Sequence, residues 1–146
     1  MQFSDVPEAR RKIMSAIRSK DTKPERSVRR LAHSLGYRFR LHGKDLPGRP
    51  DIFFPGRRKA IFVHGCFWHQ HPSDECRPSA LPRTRRDYWV PKLERNVARD
   101  ARNMTDLAAA GWDALVIWEC ELSDLEAVAD RLRRFLGDSA IARRAS

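Results

Sequence analysis

The sequence predicts an α/β fold with a central mixed β-sheet flanked by helices. An amphipathic helical repeat opens the body of the chain, three short strand-like segments follow it, and a long helical repeat separates these from a last apolar segment. Strands and helices in this order form one sheet with helices packed on both faces. The chain has 146 residues, which is enough for one domain with its own core.

The body of the chain begins with a predicted helix. Thr22-Lys23-Pro24-Glu25 is a capping-box pattern, in which a threonine caps the first turn and a glutamate follows three residues later. The apolar residues after it have the spacing of one buried helical face; they are Val28, Leu31, Ala32 and Leu35. Gly36 is expected to end this helix.

Three strands are predicted next. Tyr37, Phe39 and Leu41 alternate with arginines, which is typical of a half-exposed strand. The apolar runs Asp51–Phe54 and Lys59–Val63 lie on either side of a turn that contains Pro-Gly. Because both runs are short and apolar, they are predicted to be central, buried strands.

A long helix is predicted from about Tyr88 to Ala110, with Gly111 after its end. One apolar stripe of this helix is expected to face the core; it consists of Leu93, Val97, Ala101, Met104 and Leu107. Trp112–Cys120 is predicted to be a further strand. Ser123-Asp124-Leu125-Glu126 is expected to cap a last helix that runs to Leu136.

The charge of the chain favours a polyanionic partner. There are 29 Lys and Arg against 19 Asp and Glu, a net charge of +10. Each cation that meets a phosphate releases condensed counterions, so nucleic acid is the favoured partner, although ribosomal proteins, membrane-surface proteins and plain basic surfaces share this charge.

No apolar run approaches the roughly 18 residues of a membrane helix, and residues 1–11 lack the apolar core of a signal peptide. A cytoplasmic monomer without membrane contacts is therefore expected.

Histidines and cysteines are concentrated in residues 64–76, which hold three of the five histidines and two of the three cysteines. Structural zinc takes four thiolate and imidazole ligands. The candidate ligands are Cys66, His71 and Cys76, with Cys120 at the end of the last predicted strand. Surface histidines beside two core thiols remain the alternative explanation.

Two aromatic residues, Phe67 and Trp68, lie inside this segment. Rings on a metal-braced loop of a basic protein suit stacking against bases or insertion between base steps. Ordinary packing in the protein would require the same residue types, so composition leaves both interpretations open.

Several motifs in a fixed order resemble the very-short-patch repair (Vsr) DNA mismatch endonuclease family. They are Arg18–Glu25, Leu46–Ile52, Val63–His69, and Gly111-Trp112 followed by Trp118-Glu119-Cys120. The resemblance runs from about residue 5 to residue 122 and implies a restriction-endonuclease-like core with a zinc-braced loop and an N-terminal arm. Pro50-Asp51 before a short strand fits such nucleases, whereas Val63-His64-Gly65 stands where their acid-x-Lys motif is expected. Taken alone, the Pro50-Asp51 pair is a weak signal and favours the interpretation of Asp51 as an acidic turn residue.

The resemblance implies a Mg²⁺-dependent nickase that cuts one DNA strand 5′ to the thymine of a T:G mismatch and so initiates very-short-patch mismatch repair. Asp51 would bind Mg²⁺, with the backbone carbonyl of Val63 replacing the missing acidic side chain. His69 would be the general base, Glu25 would orient it or a water on the metal, and His64 would contact the scissile phosphate. Glu25 could also serve as the capping residue alone, or do both.

The resemblance also implies the DNA contacts and the role of the zinc. Phe67 and Trp68 would intercalate, Met14 would be a third apolar insertion, and Lys92 and Asn96 would contact the mismatched pair. The structural Zn²⁺ would be held by Cys66, His71, Cys76 and Cys120. The spacer between His71 and Cys76 is longer than is typical of the family, which makes Cys76 the least certain ligand.

The predicted organisation is a DNA-contacting arm at 1–20, an endonuclease domain at 21–136 and a flexible basic tail at 137–146. Two rival functions remain open from the sequence. One is a site-specific, restriction-type endonuclease that cuts matched DNA, and the other is a non-catalytic, zinc-braced DNA-binding module. Double-stranded DNA with a T:G mismatch is the expected partner, together with transient contacts with other repair proteins.

Overall fold

The computed structural model describes residues 22–72, 76, 80 and 84–137. In chain order the elements are helix α1 (Lys23–Ser34), strands β1 (Arg40–Leu41), β2 (Ile52–Phe54) and β3 (Lys59–His64), helix α2 (Arg86–Ala109), strand β4 (Asp113–Trp118), a 3₁₀ turn (Glu119–Ser123) and helix α3 (Leu125–Leu136). The predicted order of helices and strands is confirmed over this part of the chain. Met14, the arm at 1–20 and the tail from residue 138 lie outside the described residues. No helix in the described ranges is long and apolar enough to cross a membrane.

The strands form one mixed sheet in the order β1-β2-β3-β4. β1 with β2 and β2 with β3 are antiparallel, whereas β3 and β4 are parallel. A parallel pair requires a long crossover connection, and α2 provides it. β3 is central and its residues Ala60, Ile61 and Phe62 are all buried, which confirms the prediction of a buried strand.

Helices cover both faces of the sheet. Successive side chains of a strand point to opposite faces, so Ile61 of β3 packs on one side while Ala60 and Phe62 pack on the other. The first side forms the larger core with α1 and α3, and its buried residues include Val28, Ala32, Ile52, Ile117, Val128 and Leu132. On the second side α2 packs through Leu107, with Met104 beside it.

Two predicted strands are shorter than expected. Of the segment with Tyr37, Phe39 and Leu41, only Arg40–Leu41 pairs with β2. Tyr37 belongs instead to the end of α1, because its N–H bonds to the carbonyl of Ala32 at 3.1 Å. The strand predicted at Trp112–Cys120 ends at Trp118, and the 3₁₀ turn follows it. The N–H of Trp118 donates to the carboxylate of Glu121 at 3.0 Å instead of continuing the sheet.

The prediction that one apolar stripe of α2 faces the core is wrong for the middle of the helix. Leu93 and Leu107 are buried near the two ends of the helix, but Val97 is 44% exposed and Ala101 is also exposed. The middle of the helix crosses a polar cleft rather than a core, so the side that approaches the body of the protein carries Asn96, Asp100 and Asn103.

A basic turn between β2 and β3 stabilises the ends of two helices. Arg58 donates to the carbonyl of Ala110 just after α2 at 2.7 Å, and Arg57 donates to Leu136 at the end of α3 at 3.1 Å. Lys59 donates to Phe135. The last carbonyls of a helix lack intrahelical partners and carry partial negative charge, so this turn compensates both helix ends.

Replacing Arg57 by Met should lower the free energy of unfolding by about 1 kcal/mol, because a charge-assisted bond to a helix-terminal carbonyl is lost. Urea unfolding followed by circular dichroism measures the change. Arg102→Met, at an exposed position of α2, is the matched control and should have little effect. An equal loss in both variants would mean that Arg57 does not act through the end of α3.

Candidate active site and metal centre

A cleft of about 1060 Å³ opens between the first turn of α1, the end of β3 and the middle of α2. All four residues predicted to be catalytic line it; they are Glu25, Asp51, His64 and His69. The first turn of α1 provides Glu25, and His64 ends β3. Asp51 precedes β2, and His69 follows in the loop after β3. Residues from four separate segments therefore meet in one place.

Asp51 is held against the edge of β3. Its Oδ2 accepts a hydrogen bond from the N–H of Val63 at 2.6 Å. In an extended strand the N–H and C=O of one residue point to the same side, so the carbonyl of Val63 is directed to the same side as Asp51. This side chain and this carbonyl are the two ligands that were predicted for Mg²⁺.

Burial raises the pKa of Asp51 to about 7, and the neighbouring Glu25 carboxyl group adds to the shift through its charge and a hydrogen bond. The N–H of Val63 and the guanidinium of Arg29 act in the opposite direction on this pKa. The buried carboxyl group of Glu25 and the half-buried one of Asp51 therefore lie together, and Asp51 prefers to hold a proton near neutral pH. A divalent cation that prefers oxygen ligands, as Mg²⁺ does, would compensate both charges, so the residues present fit that ion.

The carboxylate of Glu25 has contacts other than the cap of α1. Thr22 caps α1, with its Oγ1 accepting from the N–H of Glu25 at 3.5 Å. Glu25 is 9% exposed, and its carboxylate accepts from Arg29 at 3.2 Å. The carboxylate is thus directed into the protein toward Asp51, which is compatible with both of the roles predicted for it.

Two histidines form the other half of the cleft. The rings of His64 and His69 stack with centroids 3.8 Å apart and planes 6° from parallel. His64 is 6% exposed and packs edge-on against Phe62 and Trp118. Burial, aided by the charge of His69, lowers the pKa of His64 to about 3, so this imidazole is neutral at physiological pH.

Asp100 of α2 completes this half of the cleft and was not among the predicted site residues. Its Oδ2 lies 2.6 Å from Nδ1 of His69, a distance that orients the ring. A signal for it exists in the sequence, because Asp100 follows Lys92 and Asn96 at intervals of four residues and so shares their helical face. What the sequence does not give is that this face lies over His69.

The four predicted zinc ligands form a second cluster. The ligand atoms of Cys66, His71, Cys76 and Cys120 all lie within 4.8 Å of one another. Sγ of Cys120 is 3.3 Å from Nδ1 of His71, and Sγ of Cys66 is 3.9 Å from it. Cys76 is part of the cluster in spite of its long spacer. Cys120 lies in the 3₁₀ turn rather than in the strand. It reaches the cluster because the parallel strands β3 and β4 end at the same edge of the sheet.

The chemistry of this cluster fits a structural zinc. Burial raises the pKa of Cys66 to about 12 and raises the pKa of Cys120 as well, so without a cation these thiols stay protonated. Three sulfurs and one imidazole nitrogen are a common tetrahedral set for Zn²⁺, which displaces the thiol protons. The three cysteines are free rather than paired in a disulfide.

The residues predicted to contact DNA adjoin the cleft. The rings of Phe67, Trp68 and Trp89 pack edge-on with centroids 5.2 to 5.7 Å apart. Nζ of Lys92 lies 5.8 Å from the centre of the Trp68 ring, and Nδ2 of Asn96 donates to the carbonyl of Trp68 at 3.1 Å. Trp68 is 8% exposed, so its ring contributes to ordinary packing in this structure.

Comparison with known proteins finds the same family along most of the chain. Residues 4–75 match the family model for the DNA mismatch endonuclease Vsr. The Type II nicking enzyme V.XorIIP of Xanthomonas oryzae pv. oryzae is 59% identical over 133 residues, covering 91% of this chain and 96% of that enzyme. The DNA mismatch endonuclease Vsr of Escherichia coli strain K12 is 40% identical over 121 residues, 83% of this chain and 76% of that protein. The Type II nicking enzyme V.NaeI of Lentzea aerocolonigenes is 42% identical over 130 residues, with 84% and 76% covered.

Replacing His71 by Gln should remove most of the bound zinc and destabilise the fold, because an imidazole ligand is lost and structural zinc contributes folding free energy. Metal analysis of the purified protein and thermal unfolding measure the two effects. His33→Gln, at an exposed position of α1, is the matched control. A wild-type protein without zinc would contradict this assignment.

The raised pKa of Asp51 predicts a pH dependence of stability in magnesium-free buffer. A carboxyl group whose pKa is about 7 in the folded state and near 4 in the unfolded state binds its proton more tightly when folded. Stability should therefore fall as the pH rises from about 4 to about 7. Asp51→Asn, which cannot ionise, should lose this dependence and exceed the wild type in melting temperature above pH 7.

The matched control for this pH series is Asp45→Asn, because Asp45 is exposed. It should keep the wild-type slope of melting temperature against pH. If Asp51→Asn kept that slope too, the proton would be held by another group.

Proposed function

This chain belongs to the Vsr family of DNA mismatch endonucleases, and from that membership we propose that it nicks one strand of double-stranded DNA 5′ to the thymine of a T:G mismatch. Such a cut would initiate very-short-patch mismatch repair. The name of V.XorIIP, a nicking enzyme at 59% identity, supports cleavage of a single strand. Membership of an endonuclease family also removes the interpretation as a non-catalytic DNA-binding module.

The observation that carries the proposal is the cleft, which joins the carboxyl pair of Asp51 and Glu25 to the pair of His69 and Asp100. We assign the mixed sheet beneath it to a restriction-endonuclease-like core, since Asp51 precedes a short strand and faces the next strand, β3. Mg²⁺ would be held by Asp51 and the carbonyl of Val63, with Glu25 beside them. When bound, it stabilises the negative charge that develops on the phosphodiester oxygens.

His69 would be the general base. Its Nδ1 is engaged by Asp100 at 2.6 Å, which leaves Nε2 to accept a proton from the attacking water. Asp100 would hold the ring in position and stabilise the positive charge that the ring then carries. An imidazole is suited to this step because its unperturbed pKa is close to neutral pH.

His64 would contact the scissile phosphate. Its lowered pKa keeps the ring neutral, so it would act as a hydrogen-bond donor rather than as a cation. Stacking against His69 at 3.8 Å fixes the orientation of both rings. One half of the cleft would thus bind the metal, while the other binds the phosphate and transfers the proton.

The DNA would be opened by an aromatic wedge of Phe67 and Trp68, with Met14 of the arm as a third insertion. Lys92 and Asn96 would contact the mismatched pair. For Trp68 to enter the base stack, its ring must lose its contact with the ring of Trp89. Asn96 must break its hydrogen bond to the carbonyl of Trp68 before it can donate to a base. The net charge of +10 supports binding to the DNA backbone, and we propose a cytoplasmic monomer that carries a structural zinc.

A nicking assay on two labelled duplexes that differ only by T:G in place of T:A tests this function. The expected result is one Mg²⁺-dependent cut, 5′ to the mismatched thymine and on that strand only. Asp51→Ala should lower the rate at least about 1000-fold, because the metal site supplies several kcal/mol of transition-state stabilisation. Binding of the duplex, measured by fluorescence anisotropy, should change little because the basic surface is intact.

Asp45→Ala is the control for the loss of a carboxylate and should cut as the wild type does. Equal cutting of both duplexes would replace the mismatch assignment with a site-specific nuclease that acts on matched DNA. Loss of binding in Asp51→Ala would give Asp51 a structural role.

A further inference from the structure

The side chain of Asn96 is held at both ends of its amide group. Its Nδ2 donates to the backbone carbonyl of Trp68 at 3.1 Å, and its Oδ1 accepts from Nη2 of Arg99 at 3.2 Å. A carbonyl can only accept a hydrogen bond, and a guanidinium can only donate one. The two contacts therefore fix the orientation of the amide, because the reversed amide would place donor against donor and acceptor against acceptor.

We propose that Arg99 is a specificity-determining positioning residue, which makes Asn96 present a hydrogen-bond donor to the mismatched pair. This inference rests on the proposed function, in which Lys92 and Asn96 contact that pair. Arg99 lines the cleft together with Asn96. It would act on recognition through the amide of Asn96 and not on the reacting atoms.

The contact with Arg99 is the one that remains when the aromatic wedge moves. Insertion of Trp68 into the base stack breaks the hydrogen bond between Asn96 and the Trp68 carbonyl, which belongs to the loop after β3. Asn96 and Arg99 lie three residues apart on α2, so their side chains are neighbours on the helix whatever the loop does. With the loop displaced, Arg99 alone keeps the amide from reversing.

A fixed donor matches the chemistry of a T:G pair. An α-helix is of a size that the major groove of B-DNA admits, and Lys92 and Asn96 belong to α2. In this groove thymine offers O4 and guanine offers O6 and N7, all of them acceptors. Each matched pair also offers a donor, the amino group of adenine or of cytosine. Asn96 with Nδ2 forward and the ammonium group of Lys92 would meet only acceptors at T:G, but an opposing donor at T:A or C:G.

Without Arg99 the amide of Asn96 could reverse during recognition. Its Oδ1 would then accept from the amino group of adenine or cytosine, so that a matched pair would no longer be rejected. The T:G pair would lose part of its advantage, because one of the two amide orientations does not fit it. Loss of the positive charge of Arg99 would weaken binding of all duplexes alike. A change in discrimination is therefore separable from a change in affinity.

Competition binding and nicking with the T:G and T:A duplexes test this role in Arg99→Met. The ratio of the two affinities, and of the two nicking rates, should fall at least about fivefold, since one base contact loses its direction. Arg102→Met is the matched control, because Arg102 is exposed on the same helix and does not line the cleft. It should keep the wild-type ratio. Arg99→Lys retains a donor and should recover most of the discrimination.

A double-mutant cycle measures whether Arg99 acts through Asn96. In Asn96→Ala the ratio should already be lowered, and addition of Arg99→Met should lower it no further. A further fall, or an equal loss on both duplexes in Arg99→Met alone, would overturn the positioning role. A wild type that binds T:G preferentially but cuts no duplex would refute the proposed nickase, while the ratio of affinities would still test Arg99. A T:G-specific nickase whose ratios are unchanged in Arg99→Met would refute this inference and leave the proposed function standing.

Discussion

β3 and β4 pair in parallel, in the register that sets His64 beside Trp118. Because of this pairing, two segments that are distant in sequence leave the sheet at the same edge. Cys66 and His69 leave with the first strand, and Cys120 leaves with the second. Parallel neighbours also need a crossover, and α2 fills this role while laying Asp100 over the emerging loop. The cysteine–histidine cluster and the two stacked histidines of the cleft therefore depend on the same strand pair.

The two halves of the cleft differ in their electrostatics. Burial and mutual repulsion make the Asp51–Glu25 pair favour a proton or a cation near neutral pH, whereas burial keeps His64 uncharged. These opposite tendencies result from the same low polarity, because burial always disfavours the charged form. The carboxyl pair therefore favours a bound cation, whereas the ring of His64 can form hydrogen bonds without carrying a charge.

Local patterns in the sequence predicted most of the fold, because capping at Thr22 and short apolar runs act over a few residues. The prediction was wrong where tertiary contacts decide, as at Val97, which is exposed because α2 crosses a cleft there. The same reason explains why Asp100 was missed, since its partner His69 lies 31 positions away in the chain. The four residues of the cysteine–histidine cluster were predicted to lie together because thiolates and imidazoles are the ligands that zinc takes, while the catalytic roles stay predictions from family resemblance.

The turn with Arg57 and Arg58, followed by Lys59 at the start of β3, looks like an ordinary loop in the sequence. Its side chains nevertheless reach carbonyls at the ends of two helices. Its length is therefore fixed by parts of the protein more than 50 positions further along the chain. An added residue would shift Arg57 and Arg58 relative to their carbonyls, although Lys59 is held by its register in β3. For protein engineering, this hairpin is a poor insertion point for a tag or a fused domain, although none of its residues lines the cleft.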